Sequence, residues 1–207
     1  MVAHIVCGSP HLWLPVDLTG CIVGVDRGAL KLIEHHIAVD VAVGDFDSVS
    51  EREYQLIMEK AKWVQELSAD KDVTDCEAAV AYVVGEGYRQ IYLYGTTGAR
   101  FDHQFATIGL MLKYAKQGVQ IYVEDVQNKI SVLVAGNHQL KIVAKKYVSF
   151  FALENTVRSL KLQGVKYPLD GYDLAVDDSL CVSNEALSTD ISVAFDLGYL
   201  LVVQSSD

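Results

Sequence analysis

The stretch "IAVDVAVGDFDSVS", residues 37–50, decides the fold. Its apolar first half reads as a strand buried on both faces, and it stops at a glycine followed by Asp45 and Asp47, with Phe46 between them. A strand of that kind belongs to a parallel sheet covered by helices, where ligands bind beyond the carboxyl ends of the strands. Short apolar runs that break at Gly or Asp recur on both sides of it: "HIVCG", "CIVGVD", "IYLYG" and "IYVED". Between several of them the pattern predicts helices, over roughly residues 28–36, 50–62, 74–84 and 102–117. The third shows it best, since Cys76, Ala79, Val80 and Val83 fall at i, i+3, i+4 and i+7, and Gly85 and Gly87 supply stop signals.

Beyond about residue 126 the pattern changes. Apolar and polar residues alternate in short runs separated by "AGN", "LDGYD", "VDDS" and "FDLG", with no amphipathic helix, which predicts a sheet-only second domain, a small sandwich. The expectation is therefore α/β: a parallel-sheet, Rossmann-like domain over 1–126, then an all-β sandwich domain over 127–207. No Pro/Gly/Ser-rich linker and no internal repeat separates them.

Composition narrows the function. With 207 residues and 51% apolar content the chain can bury a substantial core, and its formal charge of -10 argues against nucleic acid or an anionic membrane as the main partner. An anionic small substrate then needs a local basic group or a metal. No basic stretch precedes a long apolar segment at the start, and no apolar run reaches bilayer length, so the expectation is a cytoplasmic protein. Cys7, Cys21, Cys76 and Cys181 form no CxxC pair and read as buried free thiols.

The unusual residues cluster at the predicted strand ends. Asp26 follows "CIVGV", Asp45 and Asp47 follow "VAV", and "GTTGARFDH" follows "IYLY"; "SADKDVTD", with Asp70, Asp72 and Asp75, lies just ahead of a helix. In an extended segment residues two apart point to one side, about 7 Å apart at the backbone, so the carboxylates of Asp45 and Asp47 can converge on one ion. Asp72 and Asp75, at i and i+3 of a helix start, can face one point likewise. So many carboxylates at one edge repel each other unless a hard divalent ion intervenes, and oxygen-only ligation favours Mg2+. The plainer alternative is that each Asp caps a turn or helix, as Asp47, Ser48 or Ser50 could before "EREYQL".

"GTTGARFDH" joins a glycine-rich loop to a helix start. Its backbone N–H groups, around Thr96, Thr97 and Gly98, can face an anion, and Arg100 can add a forked contact, which suggests phosphate. It is not a Walker A loop, and no GxGxxG fingerprint occurs in the chain. Asp102 can equally be an N-cap, and His103 reads as a packing or capping residue.

Taken together, "GVDRGAL", "VGDFDSV", "DKDVTD", "GTTGARFDH", "GVKYPL" and "VSNE" occur in the order and spacing that resemble the thiamine pyrophosphokinase family, over nearly the whole chain to "LLVVQSSD". The resemblance implies an α/β nucleotide domain followed by a β-sandwich, working as a homodimer, that transfers a pyrophosphoryl group from ATP to the hydroxyl of thiamine and releases AMP. It implies Mg2+ on Asp45, Asp47, Asp72 and Asp75, with Arg100 and Asp102 at the transferring group and Asp72 or Asp75 near the attacking alcohol. Asp26, Arg27 and Gly28 go to the nucleotide end, and Tyr167, Ser183 and Asn184 to thiamine. Ala99 stands where many members have a second glycine and Thr107 where many have asparagine; neither change removes a charge.

Two alternatives stay open at this point. "DFDSV" also fits the opening of haloacid-dehalogenase-type phosphohydrolases, with Asp45 as covalent nucleophile, and the acidic pair they need later in the chain has a candidate in "VDD", residues 176–178. The other is a non-catalytic sensor of nucleotide or thiamine.

Overall fold

The computed structural model describes residues 1–68, 72–98, 100–142 and 146–207. Asp70 and Ala99, named above, lie outside the described residues. The chain is a mixed α/β protein that divides into two units, Met1–Leu110 with Gly118–Asp125, and Met111–Gln117 with Val126–Asp207.

In the first unit the strands are β1 (Val2–Val6), β2 (Cys21–Val25), β3 (Val41–Gly44), β4 (Trp63–Glu66), β5 (Gln90–Tyr94) and β6 (Gln120–Glu124). They pair in parallel in the order β4-β3-β2-β1-β5-β6. From β1 the chain builds outward on one side as far as β4, then restarts on the other side with β5. The carboxyl ends of β1 and β5 therefore flank a topological switch point, where neighbouring loops diverge and leave a crevice. β4 escapes the sequence pattern because it is a half-exposed edge strand, "WVQE", with no apolar run.

Four helices fall on the predicted segments: α1 (Arg27–Glu34), α2 (Glu51–Lys60), α3 (Asp75–Gly85) and α4 (Phe101–Ala115). Ser50, rather than Asp47 or Ser48, caps α2 in a reciprocal box, where Glu53 N–H donates to Ser50 Oγ and Ser50 N–H donates to Glu53 Oε2 at 2.7 Å. Thr74 caps α3, its Oγ1 accepting from Glu77 N–H at 3.2 Å. α1 and α2 press Leu32 and Ile57 into a cluster with Val6, Ile22 and Ala42 from the strands. Ile57 is wholly buried, so truncating it to Ala costs about 2–5 kcal/mol. α3 packs against β1, β2 and β3 and buries Ala79, Val80 and Val83. Among the described residues no helix is long and apolar enough to cross a membrane.

In the second unit β7 (Asn128–Lys141), β8 (Tyr147–Gln163), β9 (Leu169–Leu174) and β10 (Asp190–Ser205) pair antiparallel in the order β7-β10-β8-β9. The strands are longer than the short runs predicted, because "AGN" lies inside β7, "LDGYD" inside β9 and "FDLG" inside β10. At "FDLG" the pairing shifts register between Phe195 and Tyr199. The buried residues of β10 show why: Ile191, Val193 and Phe195 alternate regularly, and Leu200 and Val202 then continue out of phase, which a regular strand cannot do without a bulge. Both halves of β10 join one core with Phe150, Leu160, Leu162 and Leu174.

Candidate active site

The ends of β1, β2 and β5 and the starts of α3 and α4 surround a cavity of about 480 Å³ in the first unit, lined among others by Cys7, Asp26, Asp75, Thr96, Arg100 and His103. It opens at the switch point, so the order of the strands has already chosen its place.

Three carboxylates converge there. One ligand oxygen each from Asp26, Asp45 and Asp75 lies within 4.8 Å of the others, and all three residues are partly buried. Asp26 takes φ 47 in the junction between β2 and α1, its N–H donating to the Val43 carbonyl at 3.0 Å. Its Oδ1 accepts from Phe46 N–H at 3.1 Å. Gly44 makes that approach possible, since a Cβ at Gly44 would stand 1.8 Å from Asp26 Oδ1. An all-oxygen group of this charge, brought together by three separate segments, fits a hard divalent cation, which relieves the mutual repulsion of the carboxylates.

Asp47 and Asp72 are not in this group. The pairing of Asp45 with Asp47 assumed an extended segment, but β3 ends at Gly44 and Phe46 turns left-handed at φ 57, its ring buried and packed 5.3 Å from that of Tyr54. Asp47 is left exposed, with its N–H donating to Asp45 Oδ1 at 3.2 Å. The pairing of Asp72 with Asp75 assumed both stand in the helix, but Thr74 is the cap and exposed Asp72 precedes it.

In the loop after β5, the Thr96 hydroxyl is buried at the cavity wall with no hydrogen-bond partner among the described residues. Buried hydroxyls are ordinarily paired, so an unpaired one at a cavity is a ligand contact in waiting. Thr97 instead serves the loop: its Oγ1 donates to Asp125 Oδ2 at 2.6 Å and its carbonyl accepts from Ser9 Oγ at 2.9 Å. Neither Thr97 nor Gly98 lines the cavity. Arg100 lines it and is held by Asp102 through Nε at 3.2 Å and Nη2 at 2.5 Å. That contact keeps the Asp102 carboxyl below its ordinary value and raises Arg100 further. α4 begins at Phe101, so Asp102 stands in its first turn rather than at the cap. Arg27 lines the cavity and donates to the Ser48 carbonyl, whereas Gly28 is buried where α1 begins and does not line it.

In the second unit Tyr167, Ser183 and Asn184 come together. Buried Asn184 accepts from Tyr167 N–H at 3.0 Å and Glu185 N–H at 2.9 Å, and its Nδ2 donates to the Tyr167 carbonyl at 2.8 Å. Ser183 turns left-handed at φ 58 and donates its N–H to Ser149 Oγ at 2.9 Å. The Tyr167 ring stands 61% exposed beside the Lys166 ammonium. The Asn184 amide is thus largely occupied in fastening one loop to the other.

Comparison with known proteins shows the family. The family model described as "Thiamin pyrophosphokinase, catalytic domain" matches residues 12–123, and that described as "Thiamin pyrophosphokinase, vitamin B1 binding domain" matches residues 137–200. The thiamine pyrophosphokinase of Bacillus subtilis (strain 168) is 33% identical over 211 residues, covering 99% of this chain and 98% of its own. The chain belongs to the thiamine pyrophosphokinase family. Solved structures agree: a family protein from Enterococcus faecalis superposes with TM-score 0.93 at 32% identity over 100% of both chains. The thiamin pyrophosphokinase from Geobacillus thermodenitrificans does so with TM-score 0.89 at 36% identity, over 100% of this chain and 98% of its own.

As a thiamine pyrophosphokinase the protein is an enzyme, which sets aside the sensor and the phosphohydrolase. The "VDD" that the phosphohydrolase needed is engaged locally, since Asp178 accepts from Tyr172 Oη at 2.5 Å and from Leu180 N–H at 2.8 Å and so fastens a turn of the second unit. Sequence reasoning gave Asp26 to the nucleotide and missed its place among the carboxylates. The available signal was that its "VD" stands at the end of β2 as the Gly44-Asp45 step stands at the end of β3, its pairing neighbour. It also missed that His103 and the thiols of Cys7 and Cys76 line the cavity, because a cysteine inside an apolar run reads as core. Contact with Cys76 comes first in pushing the Cys7 thiol well up, followed by burial and by the charges of Asp26 and Asp75.

Proposed function

We propose that the enzyme transfers the pyrophosphoryl group of ATP to the hydroxyethyl oxygen of thiamine and releases AMP, using Mg2+ held by Asp26, Asp45 and Asp75. The observation that carries this reading is the convergence of those carboxylates beside the cavity at the switch point. Their hard, anionic oxygens would hold Mg2+, which would supply positive charge there to offset that of the transferring group. Arg100 supplies the protein's own positive charge. Asp102 engages two of its five N–H donors and fixes the plane of the guanidinium, leaving the others for phosphate oxygens. Loop amides and the Thr96 hydroxyl take further oxygens, and Arg27 takes the nucleotide end. In a loose transfer of this kind, position and charge carry most of the catalysis.

The same proposal assigns residues 1–126 to a Rossmann-like catalytic domain and 127–207 to a sandwich that binds thiamine and forms a homodimer in the cytoplasm. Tyr167 offers a ring face to the flat cationic substrate, and the loop fastened by Asn184 presents Ser183. Val176, Leu180 and Leu187, each more than half exposed, give the second unit apolar surface for a second copy to cover. If the site is shared between copies, mixing Asp45→Asn with the double variant Ser183→Ala, Asn184→Ala restores activity once subunits exchange; no recovery despite proven exchange refutes sharing.

The decisive experiment incubates the protein with ATP, Mg2+ and thiamine and identifies the products. AMP with thiamine diphosphate is expected. Inorganic phosphate alone, or no product, overturns the reading.

A further inference from the structure

β5 lies between β1 and β6, and the loop that follows it is held from both neighbours at one residue, Thr97. From the β1 side, buried Ser9 donates its hydroxyl to the Thr97 carbonyl at 2.9 Å. From the β6 side, partly buried Asp125, the first residue after that strand, accepts from Thr97 Oγ1 at 2.6 Å. A hydroxyl bound to a carboxylate at that length is charge-assisted, roughly twice as strong as a neutral pair. The carboxylate can only accept, so it also fixes the direction of the Thr97 hydroxyl. Gly95 at φ 68 and Gly98 at φ 75 flank the two threonines, and a loop hinged on glycines has many conformations open to it. The double hold at Thr97 removes that freedom. Thr96 is thereby kept at the cavity, which it lines, whereas neither Thr97 nor Asp125 lines it.

We propose that Asp125 is a positioning residue for the transfer: without touching substrate, it holds the loop through Thr97 in the conformation that presents Thr96 and the loop amides to phosphate oxygens. That role rests on the proposed phosphate site of the loop. Charge alone gives Asp125 the opposite role. In a chain of net charge -10, one more carboxylate near the phosphate site repels a polyphosphate, so its removal by itself would strengthen binding. The hydrogen bond to Thr97 reverses the sign. Without it the loop holds the competent conformation for only a fraction of the time, and apparent affinity falls by that fraction. A loop displaced by about 1 Å while substrate is bound loses on the order of 10²-fold in rate as well.

The test sets Asp125→Ala, Asp125→Asn, Thr97→Val and the double variant Asp125→Ala, Thr97→Val beside the parent. Three quantities are read on the whole protein: kcat/KM for ATP, KM for thiamine, and the affinity for α,β-methylene-ATP with Mg2+, an analogue whose scissile bridge cannot be cleaved. Asp125→Ala and Thr97→Val should each lower kcat/KM for ATP and analogue affinity by about tenfold or more, with KM for thiamine unchanged. Asp125→Asn keeps an acceptor oxygen for Thr97 and should lose less than about threefold. The double variant should fall less than about threefold below the worse single one, because either change breaks the same contact. The proposal is overturned if Asp125→Ala matches the parent or binds the analogue more tightly, as removal of a bare charge would make it. It is overturned equally if Asp125→Asn loses as much as Asp125→Ala, if the two single losses multiply in the double variant, or if KM for thiamine rises in step, as a general loosening of the fold would cause. Should Asp125→Ala fail to fold, Thr97→Val and Asp125→Asn decide by the same limits. A parent that makes no thiamine diphosphate yet binds the analogue with this dependence on Asp125 refutes the catalytic reading and leaves the clamp standing. A parent that does not bind the analogue refutes both.

Discussion

Replacing Gly44 by alanine places a methyl group 1.8 Å from Asp26 Oδ1 and 2.7 Å from its carboxyl carbon. Ordinary contact needs about 3.4 Å, so the carboxylate must retreat by about 1.5 Å. It can do so by rotating its side chain, and the remaining close contact, 3.2 Å to the Asp26 backbone nitrogen, asks for a shift of only a few tenths of an ångström, so the fold survives. What is lost is the hydrogen bond from Phe46 N–H, worth about 1.5–3 kcal/mol for a charged acceptor, and the place of Asp26 beside Asp45 and Asp75. A misplacement of that size lowers kcat/KM by on the order of 10²-fold, or about 2.7 kcal/mol of transition-state stabilisation. The assay is thiamine diphosphate formation as a function of Mg2+, beside thermal unfolding. The expected result is a Tm lower by about 2–4 °C per kcal/mol lost, a large fall in kcat/KM and a higher Mg2+ requirement. Gly85→Ala serves as control, since nothing lies within 4 Å of a Cβ at that position. Gly44→Ala with the parent's rate and Mg2+ response refutes both the close approach and the role given to Asp26.

The carboxylate group predicts an order of effects: Asp45→Asn and Asp75→Asn should each lower kcat by on the order of 10²–10³-fold, and Asp47→Asn and Asp72→Asn by at least about tenfold less. The reverse order in steady-state kinetics returns the metal to the pairs that sequence spacing suggested. Arg100→Lys should lower kcat on the order of tenfold to 10²-fold with the fold intact, because an ammonium cannot be held in plane by Asp102; an unchanged kcat removes Arg100 from the chemistry. Burial holds His4 below its ordinary value of 6.5, although its hydrogen bond to the Thr19 carbonyl opposes this. Below pH 6.5 the unfolded chain takes up a proton that the folded one refuses, so stability is fully present above that pH and falls by up to about 1.4 kcal/mol per unit below it. Urea unfolding of the parent and His4→Gln at pH 7.5 and about pH 5.5 checks this; equal losses refute it.

Apart from the half-exposed edge strand β4, the strands and helices of the first unit were legible because burial on both faces leaves apolar runs, and Ser50-x-x-Glu53 and Thr74 announce helix starts by their chemistry. The angle between Asp45 and Asp47 was not legible, because it depends on Phe46 turning left-handed and phenylalanine gives no sign of that; the ring's burial against Tyr54 enforces it. Pairing Asp26 with Asp45 and Asp75 required knowing that β2 lies beside β3 and that α3 crosses β1, β2 and β3, which is information about topology. In the second unit Gly136 and Gly198 read as turns because glycine marks turns and bulges alike, and only pairing distinguishes them. That Cys7 and Cys76 line one cavity was likewise hidden, because only the fold brings the end of β1 to the start of α3.

The position of β1 at the switch point also has a consequence for the protein's birth. β1 leaves the ribosome before both of its partner strands, and only one of its edges can be closed soon, by β2. The other waits for β5, and His4 and Tyr94, which meet across that edge, are 90 residues apart. At ordinary elongation rates the delay is about 5–20 s, during which a flat apolar strand offers its open edge to any other chain within reach. Ribosome-stalled chains that end before β5 should therefore be captured by chaperones and cut by protease near β1, whereas chains that extend past it should be protected. Equal protease sensitivity on either side of that length would show that β1 finds shelter some other way.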